Sequence, residues 1–237
     1  MNRKLQVLMF LLLGMASLPA FADFPSRIEA EYDVNGFGMT LANVSETFVR
    51  NGDTYRIESV TRAVGLLARF KPETVRIISE GKITAQGLQP QNFSMTRELD
   101  TGKNTKVRFD WDKSIVTHTD YKGVNNYPLH KDTQDRLSIL YQLPQLLAGN
   151  LVQTTMDLTD GNNIEAYTFR FSTETARVRV PFGAFNTHFI TNIPKGDEVK
   201  YEIWLMVEHD NYPCKIIVTD SGGGKLTQEL TSFNITP

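Results

Sequence analysis

The side chains best suited to proton transfer or metal binding near neutral pH are four histidines, His118, His130, His188 and His209. A locally built zinc site shows pairs such as H-x-x-x-H or C-x-x-C, and neither occurs. The spacing therefore reads these histidines as structural or solvent-facing, with Asp120 beside His118, Asp132 beside His130 and Asp210 beside His209. A nucleophilic triad can be assembled on paper from Ser138, His130 and Asp135. No G-x-S-x-G elbow supports it, and three such common residue types in one chain are not a signature. Gly222-Gly223-Gly224-Lys225 lacks the phosphate-loop spacing and runs into strand residues, so it reads as a hairpin tip. Asp110-Trp111-Asp112 lacks the calcium-loop pattern and reads as a turn between strands. These patterns supply no catalytic residue, no metal ligand set and no cofactor site.

The sequence offers apolar surface instead. A sheet that curls over a helix leaves a cavity lined by aliphatic and aromatic side chains, the usual seat of a lipid or other apolar ligand. Leu66, Leu67 and Phe70, in a run that does not alternate, and Trp204, in a late strand, are the candidate ligand-binding residues at such a mouth. The competing reading places all four in ordinary core.

The elements that would position them follow from composition and punctuation. The chain has 237 residues, 41% hydrophobic, 22% charged and 10% aromatic, which excludes a disordered tail protein, a collagen-like fibre and a disulfide-stapled miniprotein. A net charge of −2 offers no basic field for nucleic acid. Residues 1–22 have the form of a secretory signal peptide: Arg3 and Lys4 lead an apolar run from Leu5 to Met15, and Ala20-Phe21-Ala22 fits the cleavage site. A soluble periplasmic protein starting at Asp23 is the expectation, with no later apolar segment of membrane-spanning length. The single cysteine, Cys214, has no partner for a staple and reads as a small buried hydrophobe.

Residues 23–237 read as a single β-rich domain. Short runs rich in Val, Ile, Thr, Tyr and Phe alternate with turn residues from Ile28 to Asp110 and again from Ala166 to the end. Asn51-Gly52 between two such runs predicts a hairpin with a type I′ turn. Residues 65–72 read as a short helical turn or an apolar loop. One helix is predicted over 133–148, with Asp132 or Thr133 as cap, Leu137, Leu140 and Tyr141 on one face and Gly149 as its stop. The fold class is mainly β, an antiparallel barrel or curved half-barrel with one inserted helix.

The ordered landmarks also carry a resemblance. Glu31-Tyr32-Asp33-Val34, Gly65-Leu66-Leu67, Ser79-Glu80-Gly81-Lys82-Ile83, Gly87-Leu88-Gln89-Pro90, Gln134-Asp135-Arg136-Leu137-Ser138, Pro181-Phe182-Gly183 and Trp204 before Pro213 resemble the bacterial secreted family called domain of unknown function 3108. The resemblance implies a β-rich envelope protein and no established activity, so it carries over no site residue. The last hairpin, Trp204 to Pro213-Cys214-Lys215, is also similar to hairpins of periplasmic lipoprotein-carrier half-barrels. Three functions are then in play. The first is a non-enzymatic periplasmic protein that binds or carries an apolar, lipid-like envelope ligand. The second is an envelope scaffold that docks a protein through a sheet edge or face, and the third is a hydrolase without a recognisable motif.

Overall fold

The computed structural model describes residues 24–147 and 151–237; the expected signal peptide, with its cleavage site before Asp23, and Gly149 lie outside the described residues. The first half holds β1 (Arg27–Gly36), β2 (Met39–Asn51), β3 (Thr54–Ala63), α1 (Gly65–Phe70), β4 (Thr74–Thr84), β5 (Gly87–Arg97), β6 (Thr105–Asp110), β7 (Ile115–Asp120) and β8 (Gly123–Pro128). The second holds β9 (Gln134–Asp135), α2 (Ser138–Leu147), β10 (Gln153–Thr159), β11 (Ile164–Val180), β12 (Gly183–Asn192), β13 (Lys200–Met206), β14 (Tyr212–Thr219) and β15 (Lys225–Thr236). All fifteen strands share one sheet. Its order runs from β8 back to β1, crosses to β15, and runs back to β9, leaving β8 and β9 as edges. Every pairing is antiparallel except β9 with β10.

Strong curvature brings the two edges round toward each other. Bulges interrupt the pairings of β1 with β15, β11 with β12, β13 with β14 and β4 with β5, and each adds local bend and twist. The ends meet through side chains. His118 on β7 contacts Asn162 O at 3.3 Å and Thr159 Oγ1 at 3.2 Å, and Gln134 on β9 donates Nε2–H to Leu88 O on β5 at 2.9 Å. The mainly β, barrel-like fold with one inserted helix is thus observed, as an open and strongly curved sheet. Cys214 is fully buried, and burial pushes its thiol up to about 12, as suits a small core hydrophobe.

Two details differ from the sequence reading. The β2–β3 hairpin pairs Asn51 with Thr54, so the turn is Gly52-Asp53, and of these only Gly52 has positive φ (64°). That is the sign pattern of a type II′ turn, in which glycine comes first, rather than type I′. The inserted helix begins at Ser138, five residues later than predicted, because Gln134 and Asp135 join the sheet as β9. Asp135 then caps it. Its Oδ1 accepts the N–H of Leu137 and of Ser138, both at 2.9 Å, and Ser138 Oγ accepts the N–H of Asp135 at 3.0 Å, the reciprocal pattern of a capping box. α1 resolves the 65–72 ambiguity as a single short helix with no buried residue.

Candidate functional site

α2 lies in the concavity and divides the interior into two apolar clusters. Phe48, Ile57, Phe93, Val107 and Val116 fill the side under β2 to β7, joined by Leu137 and Tyr141. Ile139 and Leu143 pack on Phe169, Ile190, Ile203 and Leu205 of β11 to β13. A helix in that position is held by its polar side chains, and three sets of them tie α2 to the sheet.

The first set is Asp135. Besides capping α2, its Oδ2 accepts the hydroxyl of Ser79 on β4 at 2.5 Å, and Ser79 in turn meets Tyr55 Oη at 3.1 Å. The second is Glu46. Along β2 the buried positions are Ala42, Val44, Glu46 and Phe48, so the strand's alternation carries this carboxyl inward. Its Oε1 accepts the hydroxyls of Tyr141 (3.0 Å) on α2 and Tyr212 (2.9 Å) on β14. The third is Gln142 on α2, whose Oε1 accepts the N–H of Leu88 and whose Nε2 donates to Gln86 O, both at 2.9 Å.

Burial holds the Glu46 carboxyl above its ordinary value of 4.5, against the pull of the two tyrosine hydroxyls. Burial raises Asp135 too, against Ser79 and the capping N–H groups. The fold therefore binds these protons more tightly than the unfolded chain does. Their contribution to stability is whole below about pH 4 and falls as pH rises through the raised values. Glu46→Gln stays neutral throughout, so it is expected to lessen the loss of stability between about pH 4.5 and about pH 8. Urea unfolding at both pH values checks this, and an unchanged pH dependence contradicts it.

Gly87 sets how closely β5 approaches α2. Its φ is +106°, and a Cβ built there falls 2.2 Å from Gln142 Oε1. Gly87→Ala is expected to cost about 2 to 4 kcal/mol in urea unfolding, from backbone strain and the broken amide bridge. A cost under about 1 kcal/mol contradicts this role.

Between α2 and β11, β13 and β14 the packing leaves an apolar cavity of about 90 Å³, lined by Leu140, Leu143, Phe169, Ile203 and Ile216. Ile139, Leu158, Arg136, Tyr201 and Val218 complete the lining. Arg136 is exposed, and its side chain makes no hydrogen bond or ion pair among the described residues. On the other side of α2 a wider, mixed cleft of about 700 Å³ includes Trp111, Lys131, Gln134 and Gln142. Gln134 Oε1 is buried there without a hydrogen-bond partner among the described residues.

The residues singled out in the sequence are scattered through the fold. Leu66, Leu67 and Phe70 stand exposed on α1, away from the cavity. Trp204 lies between Ile203 and Leu205, which both face α2, so strand alternation turns it to the other face. There it packs on Phe189, ring centres 5.0 Å apart, with the Lys215 ammonium over its ring. None of the four lines either cleft beside α2. The paper triad also divides. Ser138 and Asp135 bond each other in a fully buried cap, while His130 is exposed and pairs with Asp157 rather than with its sequence neighbour Asp132. No grouping of three or more His, Cys, Asp or Glu suited to a metal ion occurs among the described residues.

The profile of a family of proteins of unknown function, DUF3108, matches residues 29–231. The chain belongs to that family. No curated protein matches its sequence. Among solved structures, it is similar to a β-barrel-like protein of domain of unknown function DUF1849 from Brucella abortus. The identity is 13% and the TM-score 0.60, over 89% of this chain and 98% of that one. At that identity the likeness speaks for the fold alone, and it agrees with the curved sheet seen in this DUF3108 chain.

Glu46 and Gln142, which tie α2 to the sheet, and Arg136, on the cavity lining, were not singled out in the sequence. A glutamate at an inward position of a strand was a legible signal for Glu46. Its partners, 95 and 166 residues away, had none.

Proposed function

We propose that this DUF3108 protein is a non-enzymatic periplasmic protein that binds an apolar, lipid-like ligand in the cavity between α2 and the concave face of β11, β13 and β14. The preformed apolar cavity carries the reading. Its lining is mostly aliphatic and aromatic, with the Arg136 guanidinium and the Tyr201 hydroxyl beside those groups, and at about 90 Å³ it is smaller than the roughly 150 Å³ cavities that take up benzene-sized guests, so it seats one end of an apolar chain whose remainder lies over the opening. The half-buried Leu140 and Val218 stand on the lining, where a longer chain would enter. Periplasmic location is part of the reading, supported by the signal-like residues 1–22.

The test is titration with cis-parinaric acid, a fluorescent fatty acid. Saturable binding near one equivalent, competed by unlabelled palmitate, is expected. Absence of saturable binding contradicts the reading. Docking of an envelope protein is the second reading, favoured by β8, an exposed edge strand with one side free of ladder pairing. A photo-crosslinking residue at Val124 that captures no partner in cells counts against it.

A further inference from the structure

Opposed pairs on β13 and β14 give the cavity a floor and a mouth. Ile203 faces Ile216, both buried, and two residues along, on the same face of the sheet, Tyr201 faces Val218, both half-buried. Arg136 joins that mouth from the link between β9 and α2, where its backbone N–H is fixed on Thr159 O at 3.0 Å. Burial raises the Tyr201 hydroxyl above its ordinary value of 10, and the charge of Arg136 is the strongest pull against that rise, which sets the guanidinium beside the hydroxyl. The Tyr201 hydroxyl, like the Arg136 side chain, makes no hydrogen bond among the described residues.

These two are the polar side chains of an otherwise aliphatic and aromatic lining, and both are donors. The lining holds no carboxylate and no amide, so it has little to offer an ammonium group and much to offer an acceptor. Carboxylates stand nearby, but each already holds a donor of its own. Asp160 and Glu165 act on the Tyr201 hydroxyl more weakly than Arg136 does. Asp160 Oδ1 accepts the N–H of Asn162 at 2.8 Å and of Asn163 at 3.3 Å, and Glu165 Oε2 accepts the Tyr167 hydroxyl at 3.3 Å. Farther along, Glu198 Oε2 accepts the Lys195 N–H at 2.8 Å, and Glu202 pairs with Lys200 at 3.0 Å. None of the four lines the cavity or pairs with Arg136. An anion in contact with the guanidinium gains a charge-assisted, bidentate bond, whereas salt screens exposed charges beyond about 8 Å.

We infer that the ligand of this cavity is an amphiphile with an anionic head, its chain end on Ile203 and Ile216 and its carboxylate or phosphate oxygens on the Arg136 guanidinium and the Tyr201 hydroxyl. The inference rests on the cavity reading and deepens it. The experiment is equilibrium dialysis of the chain, as its own cells process it, against laurate, dodecyl phosphate and dodecanol, which share one chain length and differ in the head. At least one of the two anions is expected to bind at least about tenfold more tightly than dodecanol, and the tighter of the two names the head. Arg136→Gln keeps much of the side chain's reach and removes its charge. It is expected to bring both anions to within about twofold of dodecanol, with dodecanol binding and thermal unfolding unchanged, because the side chain it replaces is exposed and unpaired. Tyr201→Phe, which lacks only the hydroxyl, is expected to weaken the bound anion about threefold and to leave dodecanol as it was. Equal affinity for all three ligands overturns this inference and leaves the cavity reading standing, as does an Arg136→Gln variant that binds the anions like the parent. Binding of none of the three overturns the cavity reading, and this inference with it.

Discussion

Asp135→Ala is expected to cost about 3 to 5 kcal/mol of folding stability, while Asp135→Asn costs no more than about 1 to 2 kcal/mol. Alanine removes the acceptor for two helix N-terminal N–H groups and for the Ser79 hydroxyl, all in a fully buried place where water cannot replace it. Asparagine keeps Oδ1 for the two N–H groups, and its amide can donate to Ser79 Oγ. Because burial already favours the neutral acid, losing the charge itself costs little. Urea unfolding of the two variants checks this. Equal losses in both would mean that the charge, not the hydrogen-bonding shape, holds the start of α2. The result bears on function, since Asp135 joins the edge strand β9 to the helix that forms one wall of the cavity.

Val218→Trp is expected to lower occupancy of the cavity at least about tenfold. Val218 is half-buried on the lining, so an indole there extends over the opening without crowding the fully buried layer of Ile190, Leu205 and Leu143. Apolar ligands gain roughly 25 cal/mol per Å² of surface removed from water, and a plugged cavity removes that gain. Competition of palmitate against cis-parinaric acid reads the effect. The same substitution is expected to move thermal unfolding little, which separates loss of binding from loss of fold. A variant that binds like the parent places the ligand elsewhere, with the wider cleft beside Trp111 and Lys131 the next site to test.

Much of the sheet was legible because its cause is local. Alternation along β2 and β3, glycine at the turns and proline near strand starts each act over a few residues, and strand positions followed from them. The turn at Gly52-Asp53 slipped by one residue because register is decided by which strand face is buried, a property of the whole sheet. The start of α2 was misplaced for a similar reason. Thr133 is a good cap by type, but Gln134 and Asp135 gain a parallel partner in β10, contributed from beyond the helix, and that pairing displaces the cap to Asp135. The site was less legible still. Leu66, Leu67 and Phe70 were singled out correctly as apolar and non-alternating, yet their run caps a rim instead of lining a cavity. Trp204 fell one residue from Ile203, which does line it, and one residue in a strand is the difference between the two faces. The polar groups that hold α2 pair residues 56 to 166 positions apart in the chain, and only the strong curve of the open sheet brings them together.

The central claim, a bound apolar ligand between α2 and the sheet, is tested most directly by native mass spectrometry of the protein purified from its own cells, followed by organic extraction of whatever it carries. The account predicts a stoichiometric apolar adduct that is extracted by solvent and is missing from Val218→Trp. A bare mass for the freshly purified protein, or an adduct equally abundant on Val218→Trp, would contradict it.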